Sequence, residues 1–290
     1  MGPIDGKNCN PADNLKFPMK LFVQKIFLLV ACAAPVLPAF AQQHARPALP
    51  HSKHKTIVIA HRGNHVNAPE NTLASTREAI DCGADYVEVD LRTTKDGHLI
   101  ALHDAKVDRT TNGAGKVADM TWQEVEELQV FNRNKKTHRI PEFKEILALC
   151  KGKINIYLDF KDADISETWK QIKATGMEHQ VVVYLNKEEQ YKKWKEVAPD
   201  MPLMTSLPKE VTNKEQLAAF LGQMHIQVVD NITNPELLKA AHELGLSVWL
   251  DVQSPTEGPA SWSEALHKGV QGLQTDKPGE LVSYIKGNVQ

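Results

Sequence analysis

The sequence lacks a clear excess of positive or negative charge. The 290 residues contain 34 Lys and Arg against 36 Asp and Glu, which gives a net charge of −2 at pH 7. No block of Lys and Arg interleaved with aromatic residues occurs. Because nucleic-acid binding depends on clustered positive charge, we expect no nucleic-acid partner and favour small molecules.

Cysteine is also rare. Of the four cysteines, only Cys82 and Cys150 lie beyond residue 41, and neither has the flanking residues of a catalytic or zinc-binding thiol. Export would permit a disulfide between them, but their spacing does not require one. A cysteine-bound zinc is therefore not expected.

No stable membrane span is predicted. The apolar stretch over residues 26–34 is shorter than the roughly 20 residues that a transmembrane helix needs. It follows a short basic start with Lys20 and Lys25, and it leads to Ala-Phe-Ala, which ends at Ala41. This order is typical of a secretory signal peptide. We predict an N-terminal extension and signal peptide over residues 1–41.

Such a signal implies export, to the periplasm or out of the cell, with a flexible lead-in over residues 42–55. The alternative is a lipoprotein signal, in which Cys32 is lipidated and becomes the new N-terminus.

From residue 56 onward, short apolar runs alternate with segments of helical periodicity. The predicted strands are Ile57–Ala60, Tyr86–Leu91, Leu99–Leu102, Ile154–Phe160, Val181–Leu185, Leu203–Ser206, Ile226–Val229, Ser247–Asp251 and Gly272–Gln274. The predicted helices are Leu73–Asp81, Glu142–Lys151, Glu167–Thr175, Lys187–Val197, Lys214–Leu221, Pro235–Leu244 and Ser261–His267. This alternation predicts an α/β protein with one (β/α)8 TIM barrel over residues 56–290, and a doubly wound sheet is the alternative.

The strand candidates exceed the eight of a barrel by one. Asp96-Gly97 is a hairpin turn signal, so we predict that Leu99–Leu102 pairs directly with the strand before it. Residues 104–139 break the alternation, because they are rich in turn residues and hold only a short helical piece, Thr121–Gln129. We predict a small insertion at the rim of the barrel, where loops shape access to a site.

The sequence HRG at residues 61–63 follows the first predicted strand. His61 and Arg62 therefore lie at the carboxyl end of a strand, which is where barrels of this kind bind their ligands. Taken alone, a capped strand end with a solvated arginine and a surface histidine explains the stretch equally well. His103, in LIALHD, stands at a matching strand end.

Acidic residues occupy the inward face of two predicted strands. Glu88 and Asp90 point to one side of their strand, and Asp159 lies near the end of another, with Lys161 on the same face. Buried carboxylates need a cation. Three of them, without well-spaced Cys or His, favour Ca²⁺ or Mg²⁺. The alternative is that Lys or Arg from neighbouring strands pairs with these acids.

In their order, these motifs resemble the glycerophosphodiester phosphodiesterase family. The motifs are HRG with PENT, then VEVD, Asp-Gly, His-Asp, an acid two residues before Lys161, and TDKP at residues 275–278. The similarity extends from about Thr56 to about Ile285. It implies a TIM barrel and a glycerophosphodiester as the small-molecule substrate.

The resemblance also implies roles for single residues. It assigns general acid and base catalysis to His61 and His103, phosphate contacts to Arg62 and Lys161, and metal binding to Glu88, Asp90 and Asp159.

Two positions depart from the family pattern. Asp159 stands where the family usually has Glu, so this ligand could differ in geometry or affinity. Trp249 lies in Trp-Leu-Asp, where the family often has Trp-Thr followed by Asn. Trp249 is still expected to line the glycerol of the substrate.

These residue types suit phosphodiester hydrolysis. A divalent cation with Arg62 and Lys161 would stabilise charge that grows on the phosphoryl oxygens, and two histidines would supply one base and one acid. The nucleophile is either water or the neighbouring glycerol hydroxyl, which would close a cyclic phosphate. We predict an exported, metal-dependent enzyme that releases glycerol 3-phosphate and an alcohol. The alternatives are a lysophospholipid-cleaving phosphodiesterase and a non-catalytic phosphoester-binding protein.

Overall fold

The computed structural model describes residues 47–131 and 136–288. The predicted signal peptide over residues 1–41, the alternative lipidation at Cys32 and residues 42–46 of the predicted lead-in lie outside the described residues. Among the helices that the structure does describe, none combines the length and the apolar character needed to cross a bilayer.

Strands and helices alternate along the described ranges. The strands are β1 (Ile57–Ala60), β2 (Tyr86–Thr93), β3 (Leu99–Ala101), β4 (Asn155–Phe160), β5 (Val181–Leu185), β6 (Leu203–Ser206), β7 (Val228–Asp230), β8 (Ser247–Asp251) and β9 (Gly272–Thr275). The α-helices are α1 (Leu73–Asp81), α2 (Trp122–Glu126), α3 (Phe143–Cys150), α4 (Ile165–Thr175), α5 (Glu188–Val197), α6 (Lys214–Gln223), α7 (Pro235–Glu243), α8 (Pro259–His267) and α9 (Pro278–Asn288).

Eight parallel strands close into a barrel. Neighbouring strands follow the order β1, β2, β4, β5, β6, β7, β8, β9, and β9 pairs with β1 to complete the ring. β3 lies outside the ring, antiparallel to β2, with Arg92 opposite Ile100. The TIM-barrel prediction is confirmed, as is the direct pairing of the extra strand. The doubly wound alternative is wrong because the sheet closes.

The strand sequences fill the centre of the barrel. Inward side chains form one buried cluster, made of Ile59, Tyr86, Tyr157, Val182, Met204, Val228 and Trp249. Residues on the opposite face of each strand pack against the helices in a larger cluster. Gly272 on β9 makes room for the Trp249 indole, since a Cβ there would lie 2.7 Å from Trp249 Cδ1. The inward acids Asp159, Asp230 and Asp251 lie at or next to the carboxyl ends of their strands, beyond this apolar layer.

Two elements of the structure, one strand and one helix, differ from what the sequence predicted. β7 covers Val228–Asp230 instead of Ile226–Val229, because Asp230 continues the ladder opposite Ser206 and Trp249. Helix α9 was not predicted. Its Pro-Gly start reads as a turn, but proline at the first helical position lacks only an N–H that would have no partner there.

The segment between β3 and α3 has its own small apolar cluster, which includes Val107, Val117, Val125 and Val130. Its α-helical part is α2, which is shorter than the predicted Thr121–Gln129, and a short 3₁₀ helix over Val117–Asp119 precedes it. Isolated bridges, such as Lys106 with Lys116, replace regular strands.

Candidate active site

A pocket opens at the carboxyl ends of the barrel strands. Its volume is about 260 Å³, and six of the eight predicted site residues line it: His61, Glu88, Asp90, His103, Asp159 and Lys161. A larger cleft of about 710 Å³ is lined by residues of the α5 and α6 region and contains none of the eight. The smaller pocket is therefore the candidate active site.

Three carboxylates converge on one wall of this pocket. Asp90 on β2 lies directly opposite Asp159 on β4 in the strand register, and Glu88 is two residues before Asp90 on the same face. One oxygen of each lies within 4.8 Å of the others. The side chains of Glu88 and Asp90 are buried.

Lys161 forms ion pairs with two of these three carboxylates. Lys161 Nζ lies 3.1 Å from Asp90 Oδ1 and also donates to Asp159. Glu88 accepts a hydrogen bond from the Arg62 backbone N–H at 2.7 Å, but no ion pair among the described residues includes it. Burial raises the pKa of Glu88 well above its ordinary value, and the charges of Asp90 and Asp159 raise it further.

The donor set suits a hard cation. Three carboxylate oxygens meet without sulfur or imidazole among them, which is the ligand type that Ca²⁺ and Mg²⁺ prefer. Pairing with basic residues, the alternative left open by the sequence, accounts for Asp90 and Asp159, but in the part of the chain that the structure describes no Lys or Arg forms an ion pair with Glu88.

Arg62 lies beside the carboxylates. Its backbone is left-handed, with φ at 52°, which turns its N–H toward Glu88. Its guanidinium donates to Glu70 Oε1 at 2.9 Å, and its Nε lies 3.7 Å from Asp90 Oδ2. Asn71 holds the same oxygen of Asp90 through an amide hydrogen bond of 2.7 Å. Arg62 does not line the pocket, so its phosphate contact stays a prediction.

Each pocket histidine is held by a carboxylate. His61 Nδ1 donates to Asp276 Oδ1 at 2.7 Å, and His103 Nδ1 donates to Asp104 Oδ1 at 2.7 Å. His65 Nε2 shares Asp276 at 3.0 Å. Because Nδ1 is engaged in both rings, Nε2 is the nitrogen available for proton transfer, as in other carboxylate-held histidines.

The rim segment braces this arrangement. Arg109 donates to Asp104 Oδ2 at 2.7 Å and to Glu70 Oε1 at 2.8 Å, so it links the partner of His103 to the PENT loop. Hydrogen bonding to Arg109 holds the pKa of Asp104 well below its usual range. Burial opposes ionisation of Glu70, but Arg109 and Arg62 lower its pKa to about 2.

Trp249 is not brought into the pocket. Its side chain is buried below the mouth of the barrel, its indole N–H donates to Ser247 Oγ at 2.8 Å, and its ring centroid lies 5.2 Å from that of Tyr86. Ser247, Trp249 and Asp251 face inward in successive layers, and it is Asp251, at the end of β8, that lines the pocket. The predicted contact of Trp249 with glycerol is therefore not supported.

Several pocket residues were missed from the sequence: Tyr157, Tyr184, Asn186, Asp230, Asp251 and Gln274. Asp276 was noticed only as part of TDKP. The signal that would have found most of them is the one used for Glu88 and Asp90, namely inward parity near the carboxyl end of a strand.

The chain is similar to known proteins over most of its length. A model of the glycerophosphoryl diester phosphodiesterase family matches residues 61–280. A glycerophosphodiester phosphodiesterase of Caldanaerobacter subterraneus subsp. tengcongensis is 29% identical over 80% of this chain and 98% of its own length.

Solved structures agree with the fold. A glycerophosphodiester phosphodiesterase from Agrobacterium tumefaciens superposes with a TM-score of 0.71 and 26% identity, covering 79% of this chain and 99% of its own. A phosphodiesterase from Oleispira antarctica, solved in complex with its product sn-glycerol-3-phosphate, has a TM-score of 0.66 and 20% identity over 79% of this chain and 96% of its own. The second likeness concerns the fold alone.

Proposed function

Since the chain belongs to the glycerophosphoryl diester phosphodiesterase family, we propose that it hydrolyses glycerophosphodiesters to glycerol 3-phosphate and an alcohol by a metal-dependent mechanism with two histidines. The observation that carries this proposal is the meeting of two carboxylate-held histidines with three carboxylates in one pocket.

Glu88, Asp90 and Asp159 are the residues that would hold a divalent cation, Ca²⁺ or Mg²⁺. When bound, such an ion supplies Lewis-acid stabilisation of the phosphoryl oxygens. Lys161, which reaches both Asp90 and Asp159, adds positive charge on the same side of the pocket.

His61 and His103 perform the proton transfers. One ring takes a proton from the nucleophile at Nε2, and the other delivers a proton from Nε2 to the leaving alkoxide. Asp276 and Asp104 hold the rings in the tautomer with a proton on Nδ1 and stabilise the charged form. Water and the neighbouring glycerol hydroxyl are both chemically suitable nucleophiles.

The decisive experiment measures glycerol 3-phosphate release from glycerophosphocholine with added Ca²⁺ or Mg²⁺, and again after chelation. We expect release only with the ion, and a loss of about 10²–10⁴-fold in each of His61→Ala and His103→Ala. His179→Ala, at the opposite end of the barrel, is the matched control and should keep the wild-type rate. A phosphoester-binding protein would instead bind glycerol 3-phosphate without turnover.

Export is part of this proposal and is supported by the order of basic, apolar and Ala-Phe-Ala segments in residues 1–41. The mass of the mature protein from a secreting host tests it. A mature N-terminus at Gln42 supports signal cleavage, a lipidated Cys32 supports the alternative anchor, and an uncleaved chain contradicts both.

A further inference from the structure

A buried carboxylate that the mechanism above does not use lies behind the His61–Asp276 pair. Glu257 belongs to the loop between β8 and α8, two residues before the helix begins, and it is 3% exposed. It does not line the pocket, so direct contact with a substrate is not its role. Because glutamates are rarely buried this far without partners, the contacts of this carboxylate indicate what it does.

Both oxygens of Glu257 accept hydrogen bonds. Oε1 accepts from the Thr275 hydroxyl and, at 2.9 Å, from the Trp262 indole N–H. Oε2 accepts from the Asp276 backbone N–H at 3.2 Å. None of the ion pairs within residues 47–131 and 136–288 includes this carboxylate. Three neutral donors therefore hold it in place.

Only a carboxylate can accept from all three donors. A glutamine at this position would present one accepting oxygen and one NH2 group, which only donates. With its oxygen toward Thr275 and Trp262, the NH2 group would face the backbone N–H of Asp276. With the amide turned over, the NH2 group would face the indole N–H of Trp262. The position therefore requires Glu, and another polar side chain of the same size would not serve.

These contacts anchor both members of the His61–Asp276 pair. Asp276 is held by its own backbone N–H, and its side chain contacts His61. Thr275 is held by its hydroxyl, and its carbonyl accepts the His61 backbone N–H at 3.0 Å. The same hydroxyl accepts the Lys277 backbone N–H at 2.9 Å, and Lys277 Nζ donates to the Glu257 carbonyl at 2.8 Å. Glu257 is thus joined to three successive residues of the TDKP motif.

The anchor matters because the state of the His61 ring depends on where Asp276 lies. Their hydrogen bond is 2.7 Å long and keeps the ring proton on Nδ1. The Asp276 side chain is 39% exposed, so the packing around it does little to fix its position. The buried contact between Glu257 and the Asp276 backbone supplies what that packing does not, and a carboxylate supports a ring only while it is itself held.

We propose that Glu257 is a positioning residue for the reaction, which holds Asp276 so that His61 keeps Nε2 free for proton transfer. This inference rests on the proposed phosphodiesterase function, because it uses the role that His61 has there. The loop between β8 and α8 takes part in the reaction without contacting the substrate.

The first measurement needs no turnover. NMR of isotope-labelled histidine shows which ring nitrogen carries the proton, and His61→Gln identifies the His61 signals. We expect the neutral ring of the wild type to carry its proton on Nδ1. Glu257→Gln should raise the minor form, with the proton on Nε2, about threefold or more. An unchanged tautomer in this variant would overturn the inference.

The second measurement is steady-state hydrolysis of glycerophosphocholine with saturating divalent cation. Glu257→Gln should lower kcat about tenfold to 100-fold with little change in KM, because the residues that line the pocket are unchanged. Glu264→Gln, at an exposed position of α8, makes the same chemical change away from Asp276 and should behave as wild type. A rise in KM with an unchanged kcat would overturn the inference, since it would mean that the loop acts on substrate binding.

Double variants separate positioning from a general loss of folded enzyme. In Asp276→Asn the support that Glu257 maintains is already lost, so adding Glu257→Gln should lower kcat by less than about threefold. In Arg109→Lys, which affects the partner of His103 instead, adding Glu257→Gln should lower kcat by its full factor. The same factor in both backgrounds would mean that Glu257 only stabilises the fold, and it would overturn the inference.

A further variant covers the case in which Glu257→Gln does not fold. Thr275→Val removes the hydroxyl that donates to Glu257 and should reproduce both the loss of kcat and the change of tautomer. Thr275→Ser keeps that hydroxyl and should stay near the wild-type rate. A wild-type kcat in Thr275→Val would overturn the inference. A wild-type enzyme that releases no glycerol 3-phosphate contradicts the proposed function, and the tautomer of His61 then decides separately whether Glu257 positions the ring.

Discussion

His61 and Asp276 lie 215 residues apart in the sequence and are joined by a 2.7 Å hydrogen bond at the mouth of the barrel. β1 and β9 are neighbours in the closed sheet, and each residue follows the end of its strand. The pairing fixes which nitrogen of His61 faces the pocket. Burial opposes ionisation of Asp276, but the hydrogen bonds from His61 and His65 hold its pKa well below the ordinary value.

Asp276→Asn should lower kcat about 100-fold or more while leaving the fold intact. The amide has no charge to stabilise an imidazolium, and it can turn its NH2 group toward the ring and favour the wrong tautomer. The measurement is steady-state hydrolysis of glycerophosphocholine, with circular dichroism to check folding. His65→Ala, which removes the second donor to Asp276, should reduce the rate far less. Similar losses in both variants would mean that the three residues act as one structural cluster.

The effect of Arg109 on catalysis should depend on the forked guanidinium and not on its charge alone. Arg109→Lys keeps the charge, but one ammonium cannot make the paired contacts to Asp104 and Glu70 that the guanidinium makes. We expect kcat to fall roughly tenfold with little change in KM, because the partner of His103 is less firmly held. Arg77→Lys, on the exposed face of α1, is the control. An unchanged kcat in Arg109→Lys would show that Asp104 orients His103 without this brace.

Metal binding should depend more on Glu88 than on Asp159. Glu88 has no ion pair within residues 47–131 and 136–288, whereas Asp159 is already contacted by Lys161 and by Asn186 Nδ2 at 2.7 Å. Glu88→Ala should therefore raise the concentration of Ca²⁺ or Mg²⁺ needed for half-maximal activity more than Asp159→Ala does. Direct calorimetric titration of the ion gives the same ranking independently of turnover. Equal or greater loss in Asp159→Ala would identify it as a full ligand.

Asp230 should destabilise the fold at neutral pH. Burial raises its pKa from 3.8 to about 6, and the charges of Asp251 and Asp159 add to this effect, which the Ser206 hydroxyl partly opposes. A raised carboxyl pKa means that the folded protein binds more protons than the unfolded one. The free energy of unfolding therefore falls as pH rises from about 4 to 6.

In chelator, Asp230→Asn should be more stable than wild type by about 1–3 kcal/mol above pH 6 and about equally stable below pH 4. Urea unfolding across this range measures the difference, with Asp200→Asn as the control for net charge. A constant difference at all pH values would exclude the carboxyl as its source.

The alternation of strands and helices was enough to predict the barrel, because apolar residues recur with different periods in buried parallel strands and in amphipathic helices. The same parity argument predicted that Glu88 and Asp90 face one way. In the structure these two acids meet Asp159 because β2 and β4 are adjacent in the barrel. The sequence alone could not identify β2 and β4 as neighbours, because β3 lies between them in the chain.

What the sequence could not supply was depth within the barrel. Trp249 and Asp251 share a face, yet two residues along a strand separate a core layer from the pocket. The role of Trp249 was therefore carried over by family resemblance, while the neighbouring acid was missed. Asp276 was missed for another reason: its partner His61 becomes adjacent only when the last strand closes the ring.

That closure also makes β1 depend on a strand that comes much later in the chain. β1 is the first strand of the described residues, and one of its edges is matched residue by residue, from Ile57 with Gly272 to Ala60 with Thr275. A nascent chain that ends before residue 272 leaves that edge bare and His61 unaligned. The alignment of His61 therefore depends on a residue 215 positions further along the chain, and we expect truncation before β9 to remove it.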